Sequence, residues 1–157
     1  MTIACRQTGI WFKETDIIFT TNKMNLLEGK ISEIKTEGSL SLVKVMVQNC
    51  PITTIVIETP ESAEYLAIEN NVKVVFKETE VVLAKTFSGA ISLQNKLDCS
   101  VHSFEKGKLL CKIILNFQDT KIASVITRNA FDQLDIKEND LVQAMIKTNE
   151  ISLATHD

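Results

Sequence analysis

The chain has few of the residues on which common catalytic and metal sites depend. Only five glycines and two histidines occur among its 157 residues. A Gly-rich phosphate loop, a nucleophile motif and a histidine-based metal site therefore have no basis in the sequence, and we do not expect an enzyme. The cysteines form no Cys-x-x-Cys pair, which predicts reduced packing residues and no metal site; they are Cys5, Cys50, Cys99 and Cys111.

Positive charge and aromatic side chains are also scarce. The formal net charge is -3 and aromatic residues make up 6% of the chain, so an OB-fold binder of single-stranded nucleic acid is disfavoured. No apolar run approaches the roughly 20 residues that span a bilayer. The N-terminus lacks the basic-then-apolar layout of a secretory signal. We expect a cytoplasmic protein that by itself acts on neither a membrane nor a nucleic acid.

The most informative feature that is present is an internal repeat. Residues 25–31 return about 70 residues later as residues 95–101, and residues 76–84 return as residues 146–154. A third, partial copy of the ending stands at residues 12–20. Each full unit has only about 65 to 70 residues, a size at which a single core is marginal. The two units are therefore expected to pack on each other.

Within each unit, apolar and polar residues alternate, which predicts strands separated by short turns. Thr59-Pro60 and Thr127 each predict the start of one short helix, because a threonine hydroxyl caps free backbone N–H groups. Four or five strands with one helix before the last strand predict a mainly β protein made of two tandem OB-like Greek-key barrels. The last strand of each unit is predicted at residues 72–84 and 141–154.

This pattern divides the chain into three parts. Residues 22–85 form the first unit and residues 86–157 the second. Residues 1–21 are predicted to form an extra N-terminal strand that completes a barrel, either in this chain or in a neighbouring subunit, since a lone strand needs a sheet edge.

Three segments of each unit carry a resemblance to a known family. The opening is Asn-Lys-Met-Asn-Leu-Leu-Glu-Gly at 22–29 and Ser-Leu-Gln-Asn-Lys-Leu-Asp-Cys at 92–99. A strand-to-turn segment follows at 55–62 and 123–130. The ending is Lys-Glu-Thr-Glu-Val at 77–81 and Lys-Thr-Asn-Glu-Ile at 147–151, with a third copy, Lys-Glu-Thr-Asp-Ile, at 13–17. In order and spacing they resemble the Mop, or molybdate-binding, domain, whose copies open with Ser-Ala-Arg-Asn-Gln-Leu-x-Gly and finish with Lys-Ala-Ser-x-Val. The chain is thus identified as similar to tandem Mop (di-Mop, TOBE-like) proteins.

The resemblance implies a function and a set of binding residues. Such proteins bind molybdate or tungstate as a ligand, with no organic cofactor, and serve in molybdenum storage, homeostasis or sensing. Their oxyanions sit between barrels, and tandem members form homo-oligomers, with trimers favoured. The residues implied in oxyanion binding are Lys13, Thr15, Asn25, Thr59, Lys77, Thr79, Ser92, Asn95, Thr127, Lys147 and Thr148. Ammonium, hydroxyl and amide groups of this kind donate hydrogen bonds to a dianion, which only accepts them.

The sequence departs from the family at the opening. Met24 and Gln94 replace the family's arginine, and Asn22 replaces the opening serine of the first unit, so fewer or weaker sites are expected. A regulatory interaction module, the effector domain of a molybdate-responsive regulator or transporter ATPase, stays as the alternative function. A lysine beside a glutamate is also typical of a solvated strand edge, and Thr59 and Thr127 are also typical of plain helix caps.

Overall fold

The computed structural model describes residues 23–155. Within that range the chain forms ten strands, one α-helix and two short 3-10 turns. In chain order they are β1 (Met24–Glu37), β2 (Leu40–Val47), β3 (Cys50–Val56), β4 (Asn71–Lys77), the turn Glu78–Glu80, β5 (Val82–Ala84), β6 (Asn95–Lys106), β7 (Leu110–Phe117), β8 (Thr120–Thr127), α1 (Arg128–Leu134), β9 (Leu141–Ile146), the turn Thr148–Glu150 and β10 (Ser152–Ala154). Nearly every element of the first repeat recurs about 70 residues later, so the predicted repeat is a structural one.

The strands form two five-stranded antiparallel sheets, which are the predicted OB-like barrels. The strand order is β10-β4-β1-β2-β3 in the first barrel and β5-β9-β6-β7-β8 in the second. The last strand of each repeat therefore belongs to the barrel of the other repeat. β5 pairs with β9 through Leu83 and Ala144, and β10 pairs with β4 through Leu153 and Val74. The two barrels exchange their final strands within one chain.

This exchange corrects the prediction of one continuous final strand in each unit. The backbone leaves β4 and β9 through a 3-10 turn and resumes as a three-residue strand on the other side. Val81 and Ile151, which follow these turns, are 2% and 3% exposed. Burying both residues between the barrels stabilises the crossing, since each apolar side chain removed from water contributes about 1.5–3 kcal/mol. The proposed N-terminal strand at residues 1–21 lies outside the described residues.

The long strands β1 and β6 bend at the same relative place. The pairing register shifts between Ile31 and Glu33 in β1 and between Val101 and Ser103 in β6. A bulge of this kind kinks a strand and increases its twist, which lets one strand serve two sides of a small barrel. In β1 the bend follows Gly29, where a Cβ atom would lie 2.7 Å from the carbonyl oxygen of Met46. Only glycine fits so close a backbone approach.

Only the second of the two predicted helices forms. Thr127 caps α1 by accepting a hydrogen bond from the Ala130 N–H at 3.0 Å, as predicted. In the first unit, residues 59–70 form successive turns instead of a helix. There the Ser62 hydroxyl accepts from the Thr59 N–H at 2.9 Å and donates to the Thr59 carbonyl at 3.1 Å. The Thr59 carbonyl also accepts from the N–H groups of Ser62 and Ala63, both at 2.9 Å, so the segment begins with one helical turn but does not continue as a helix.

Candidate functional site

The two repeats meet at two related places, where the opening and ending of one repeat face a strand of the other barrel. We call the place where residues 24–25 and 77–80 meet β8 the first junction. The second junction is the place where residues 94–95 and 147–150 meet β3. Within each repeat the opening and ending are neighbours because β1 pairs with β4, with Met24 opposite Lys77, and β6 pairs with β9 in the same way. The predicted segments are thus brought together at the boundary between barrels.

An asparagine side chain joins the barrels at each junction. At the first, Asn25 accepts from the Ala123 N–H and donates to the Ala123 carbonyl, both at 2.8 Å. At the second, Asn95 accepts from the Thr53 N–H at 2.7 Å and donates to the Thr53 carbonyl at 2.8 Å. Each amide pairs with the backbone as a neighbouring strand would. Both side chains are buried, and their geometry makes them connectors between barrels.

A hydroxyl group adds a second link at each junction. Thr54 donates to the carbonyl of Ile151 at 2.7 Å, and Ser124 donates to the carbonyl of Val81 at 2.8 Å. Both hydroxyls are fully buried, so each satisfies a carbonyl that no strand partner reaches. The links hold the crossing segments just after the ending motif in a fixed position.

The ending residues of the two repeats differ in exposure. Lys77 is partly buried and Thr79 is exposed at the first junction, whereas Lys147 is exposed and Thr148 partly buried at the second. Each lysine directly precedes its 3-10 turn. These four predicted residues lie at the junctions, and their role in binding stays a prediction.

An ion pair occupies the first junction. Glu78 lies in the 3-10 turn, and its carboxylate is 3.2 Å from the Nζ atom of Lys112 on β7 of the second barrel. The side chains are 6% and 18% exposed, respectively. The corresponding residues of the second junction are Thr148 and Leu42, which carry no charge. The two junctions therefore differ in charge at this pair.

The second junction borders an open cavity of about 460 Å³ between the first barrel and residues 91–96. Its apolar lining includes Leu42, Ile91 and Leu93. Three lysines and one acid reach it from three segments; the polar lining consists of Glu33, Lys35, Lys44, Thr53, Gln94 and Lys96. The predicted Ser92 is exposed and lies between two of the lining residues. An excess of ammonium groups in a concave site favours an anionic ligand.

Glu33 organises two of the cavity lysines. Its carboxylate lies 2.9 Å from Nζ of Lys35 and 2.7 Å from Nζ of Lys44. Hydrogen bonds from Lys44 and then Lys35, together with their charges, lower the pKa of Glu33 to about 2. Glu33 is therefore ionised at neutral pH and holds both ammonium groups at the rim of the cavity.

The remaining predicted residues lie elsewhere. Thr127 caps α1 and stands four residues beyond Ala123 on β8, about 13 Å along the strand at the usual rise per residue. Thr59 begins the first turn after β3, where its carbonyl accepts from the N–H groups of Ser62 and Ala63. The structure does not bring these two threonines to the junctions. Lys13 and Thr15 lie outside the described residues.

The cysteines are packing residues in the part of the chain that the structure describes. Burial raises the pKa of Cys99 to about 12 and also raises the pKa of Cys50 and Cys111. The three thiols are therefore protonated and weakly nucleophilic at neutral pH. Among residues 23–155, no group of three or more His, Cys, Asp or Glu side chains is placed to hold a metal ion.

Sequence reasoning missed the lysines of the cavity and the ion pair of the first junction. Lys112 and Glu78 are 34 positions apart, and their contact depends on the exchange of strands between barrels. One signal was present: Glu78 stands where the family ending has alanine and where the second repeat has Thr148. Glu33 and Lys35 also share one strand face by their spacing of two.

Comparison with known proteins finds one domain family and two solved structures that are similar to this chain. A model of the TOBE domain matches residues 91–153. The cytoplasmic molybdate-binding protein ModG, in a form with molybdate bound, is 26% identical, with 84% of this chain and 96% of that chain covered and a TM-score of 0.78. A molybdate-binding protein from Sporomusa ovata is 30% identical, with 43% of this chain and 100% of that chain covered and a TM-score of 0.42. No curated protein matches the sequence at a significant level.

Two five-stranded OB-like barrels, the second of them matching the TOBE model, define the class: this is a tandem TOBE-type barrel protein. Within that class the chain belongs to the tandem Mop (di-Mop) family, because its similarity to ModG extends over both barrels. Residues 23–155 contain no helix that is long and apolar enough to cross a membrane.

Proposed function

We propose that this protein binds molybdate or tungstate inside the cell and serves in storage, homeostasis or sensing of the oxyanion. The observation that carries the proposal is the likeness to ModG over 84% of this chain and 96% of that chain. The junctions add support because both repeats place their opening and ending segments side by side at the boundary between barrels. We further propose that the protein acts as a binder and not as an enzyme, in the cytoplasm.

The chemistry of the second junction suits a tetrahedral dianion. Such an ion offers only acceptor oxygens, so its site must supply donors. Gln94 and Lys96 line the cavity, and Lys147 and Thr148 follow β9, whose Ile146 pairs with Asn95. The second junction thus offers amide, ammonium and hydroxyl donors. Charge-assisted hydrogen bonds contribute about 1.5–3 kcal/mol each. Four or more of them are compatible with micromolar binding, which requires about 8 kcal/mol.

A second candidate function is supported by the two positions that lack arginine. Met24 and Gln94 replace the family's guanidinium at the two junctions, and a methionine or an amide cannot form a bidentate ionic contact with an oxyanion. A regulatory interaction module with weak anion binding of its own is consistent with that loss. We favour binding because the cavity of the second junction retains three lysines.

Calorimetric titration tests the proposal. Molybdate and tungstate are expected to release heat on binding, with sulfate as the competing tetrahedral dianion. In a Lys77→Ala/Lys147→Ala variant the affinity should fall at least tenfold, whereas the exposed pair Lys30→Ala/Lys108→Ala serves as a matched control with unchanged affinity. No heat with either metal oxyanion overturns the binding function. Unchanged affinity in the first variant overturns only the assignment of these two lysines.

We also propose that the protein forms a homo-oligomer, with a trimer favoured. Two barrels in one chain leave sheet edges at β3 and β8, and exposed apolar residues such as Ile55 and Leu141 lie on the surface. Multi-angle light scattering at low and high salt measures the mass directly. A monomer at every salt concentration contradicts this part of the proposal.

A further inference from the structure

The two junctions are related by the internal repeat, yet they differ in charge at a single buried pair. Glu78 and Lys112 form an ion pair at the first junction. Thr148 and Leu42 stand in the same positions at the second. The asparagine link and the hydroxyl link are present at both junctions. Comparing the first junction with the second therefore isolates the effect of the ion pair.

The carboxylate of Glu78 puts a negative charge at the first junction, next to Lys77, one of the predicted oxyanion-binding residues. It follows Lys77 directly, is only 6% exposed on its side chain, and faces Lys112 at 3.2 Å. A buried charge is retained only when a partner neutralises it, and here the two side chains satisfy each other. A dianion entering this place would meet a fixed negative charge and would have to compete for an ammonium group that is already engaged.

The second junction has an excess of positively charged side chains and no acid in the position of Glu78. Thr148 brings a neutral hydroxyl donor in place of the acid, and Leu42 lines an open cavity of about 460 Å³. Lys35, Lys44 and Lys96 line the same cavity, and Glu33 is the one carboxylate among its lining residues. The lysines outnumber that acid, so a bound dianion would neutralise their excess positive charge, as Glu78 neutralises Lys112 at the first junction.

We infer that Glu78 acts as a built-in anion that closes the first junction to oxyanions, so that each chain binds a dianion only at the cavity of the second junction. This inference rests on the proposed function and limits it to one oxyanion site per chain. Glu78 is in this respect a specificity-determining residue: it decides which half of the duplicated protein takes the ligand.

Titration with sodium molybdate tests the inference through stoichiometry. The wild-type protein should bind one molybdate per chain. Glu78→Thr, which copies the second junction and frees Lys112, should bind two. Glu80→Thr changes an acid in the same 3-10 turn and serves as the matched control, with one molybdate per chain. If Glu78→Thr does not fold, Glu78→Gln keeps the shape of the side chain while removing the charge, and it too should bind two.

A second pair of variants tests the location of the working site. Lys96→Ala should weaken molybdate binding at least fivefold. Glu33→Gln should strengthen it by a similar factor, because the neutral amide releases Lys35 and Lys44 from their carboxylate partner. Both variants should leave the stoichiometry at one.

The outcomes separate the inference from the function on which it rests. Two molybdate ions per wild-type chain, or one per chain in a folded Glu78→Gln variant, overturn the role of Glu78 while leaving binding intact. Affinity that does not respond to Lys96→Ala and Glu33→Gln overturns the cavity as the site. No heat from the wild-type protein overturns the proposed function itself.

Discussion

At the scale of single residues, the opening asparagines connect the two halves of the molecule. The resemblance assigns Asn25 and Asn95 to oxyanion binding, but each amide forms two hydrogen bonds with the backbone of the other barrel. Both bonds bridge segments that are far apart in sequence. A polar residue at such a position specifies how two apolar surfaces dock, since any other docking leaves its groups unpaired.

Asn95→Ala should destabilise the protein more than removal of an ordinary surface amide. The change leaves the partly buried N–H and carbonyl of Thr53 without their Asn95 partner, and an unsatisfied group costs about 1–3 kcal/mol when it is buried. We expect a loss of about 2–5 kcal/mol in urea denaturation. Asn71→Ala, on an exposed strand position, is the control and should stay within about 0.5 kcal/mol. Equal effects of the two changes would contradict a connecting role for Asn95.

The ion pairs of Glu33 predict that the stability of the folded protein falls at acidic pH. Its pKa in the folded protein is about 2, below the ordinary value of 4.5, so the folded state binds the proton more weakly than the unfolded chain. The stabilisation from Glu33 is therefore complete above about pH 4.5 and disappears as the pH falls toward 2. Comparing urea denaturation of wild type and Glu33→Gln from pH 7 to pH 2 should show a difference that vanishes at the acid end. A difference that grows on acidification would contradict this assignment.

At the scale of secondary-structure elements, the exchange of β5 and β10 decides how the repeats are joined. A three-residue strand contributes few hydrogen bonds, but each of these strands closes the edge of the partner's sheet. Leu83 on β5 is 8% exposed and joins the common core. The same residues would make similar contacts in their own barrel, so the short turn after β4 and β9 selects the partner.

Truncation distinguishes the two possible partners of the last strand. A chain ending at Ile151 lacks β10, so residues 73–75 of β4 lose their hydrogen-bond partners. Hydrogen exchange measured by mass spectrometry should become faster in β4 of the first barrel and stay unchanged in β9 of the second. A chain ending at Thr155 keeps β10 and serves as the control. Faster exchange in β9 instead would contradict the exchange of strands.

At the scale of the whole molecule, the exchanged strands and the paired junctions make the two barrels one folding unit. The buried residues form a single cluster that includes side chains from both repeats. A barrel of this size is marginal alone, and neither sheet is complete without a strand from the other repeat. The two halves are therefore expected to unfold together.

Calorimetry tests this cooperativity. Scanning the wild-type protein should give one transition with equal calorimetric and van't Hoff enthalpies. Ile31→Val in the first barrel and Ile113→Val in the second each remove one methylene group from a fully buried position, at a cost of about 0.5–1.5 kcal/mol. Each change should shift the same transition, by about 2–4 °C per kcal/mol. Two separate transitions, of which only one moves, would contradict a single folding unit.

The sequence by itself determined the elements of this protein. Alternation of apolar residues with period two located the strands to within a few residues, and the cap at Thr127 and the duplication followed from local chemistry. Local patterns of this kind succeed because a strand's buried face and a helix cap depend on neighbouring residues. The first helix was wrong: after one helical turn at Thr59 the chain continues as separate turns, which propensity alone does not reveal.

Only the tertiary structure decided which barrel each final strand joins and which charges meet. The alternation of apolar residues shows which face of a strand is buried. It does not show which of the two barrels buries that face, because both barrels offer an apolar surface and an open sheet edge. The approach of Glu78 to Lys112 and the clustering of lysines beside Leu42 both depend on that choice. The two repeats have junctions of different charge because Thr148 and Leu42 stand in place of Glu78 and Lys112, and the contact that makes this difference matter joins residues far apart in the chain.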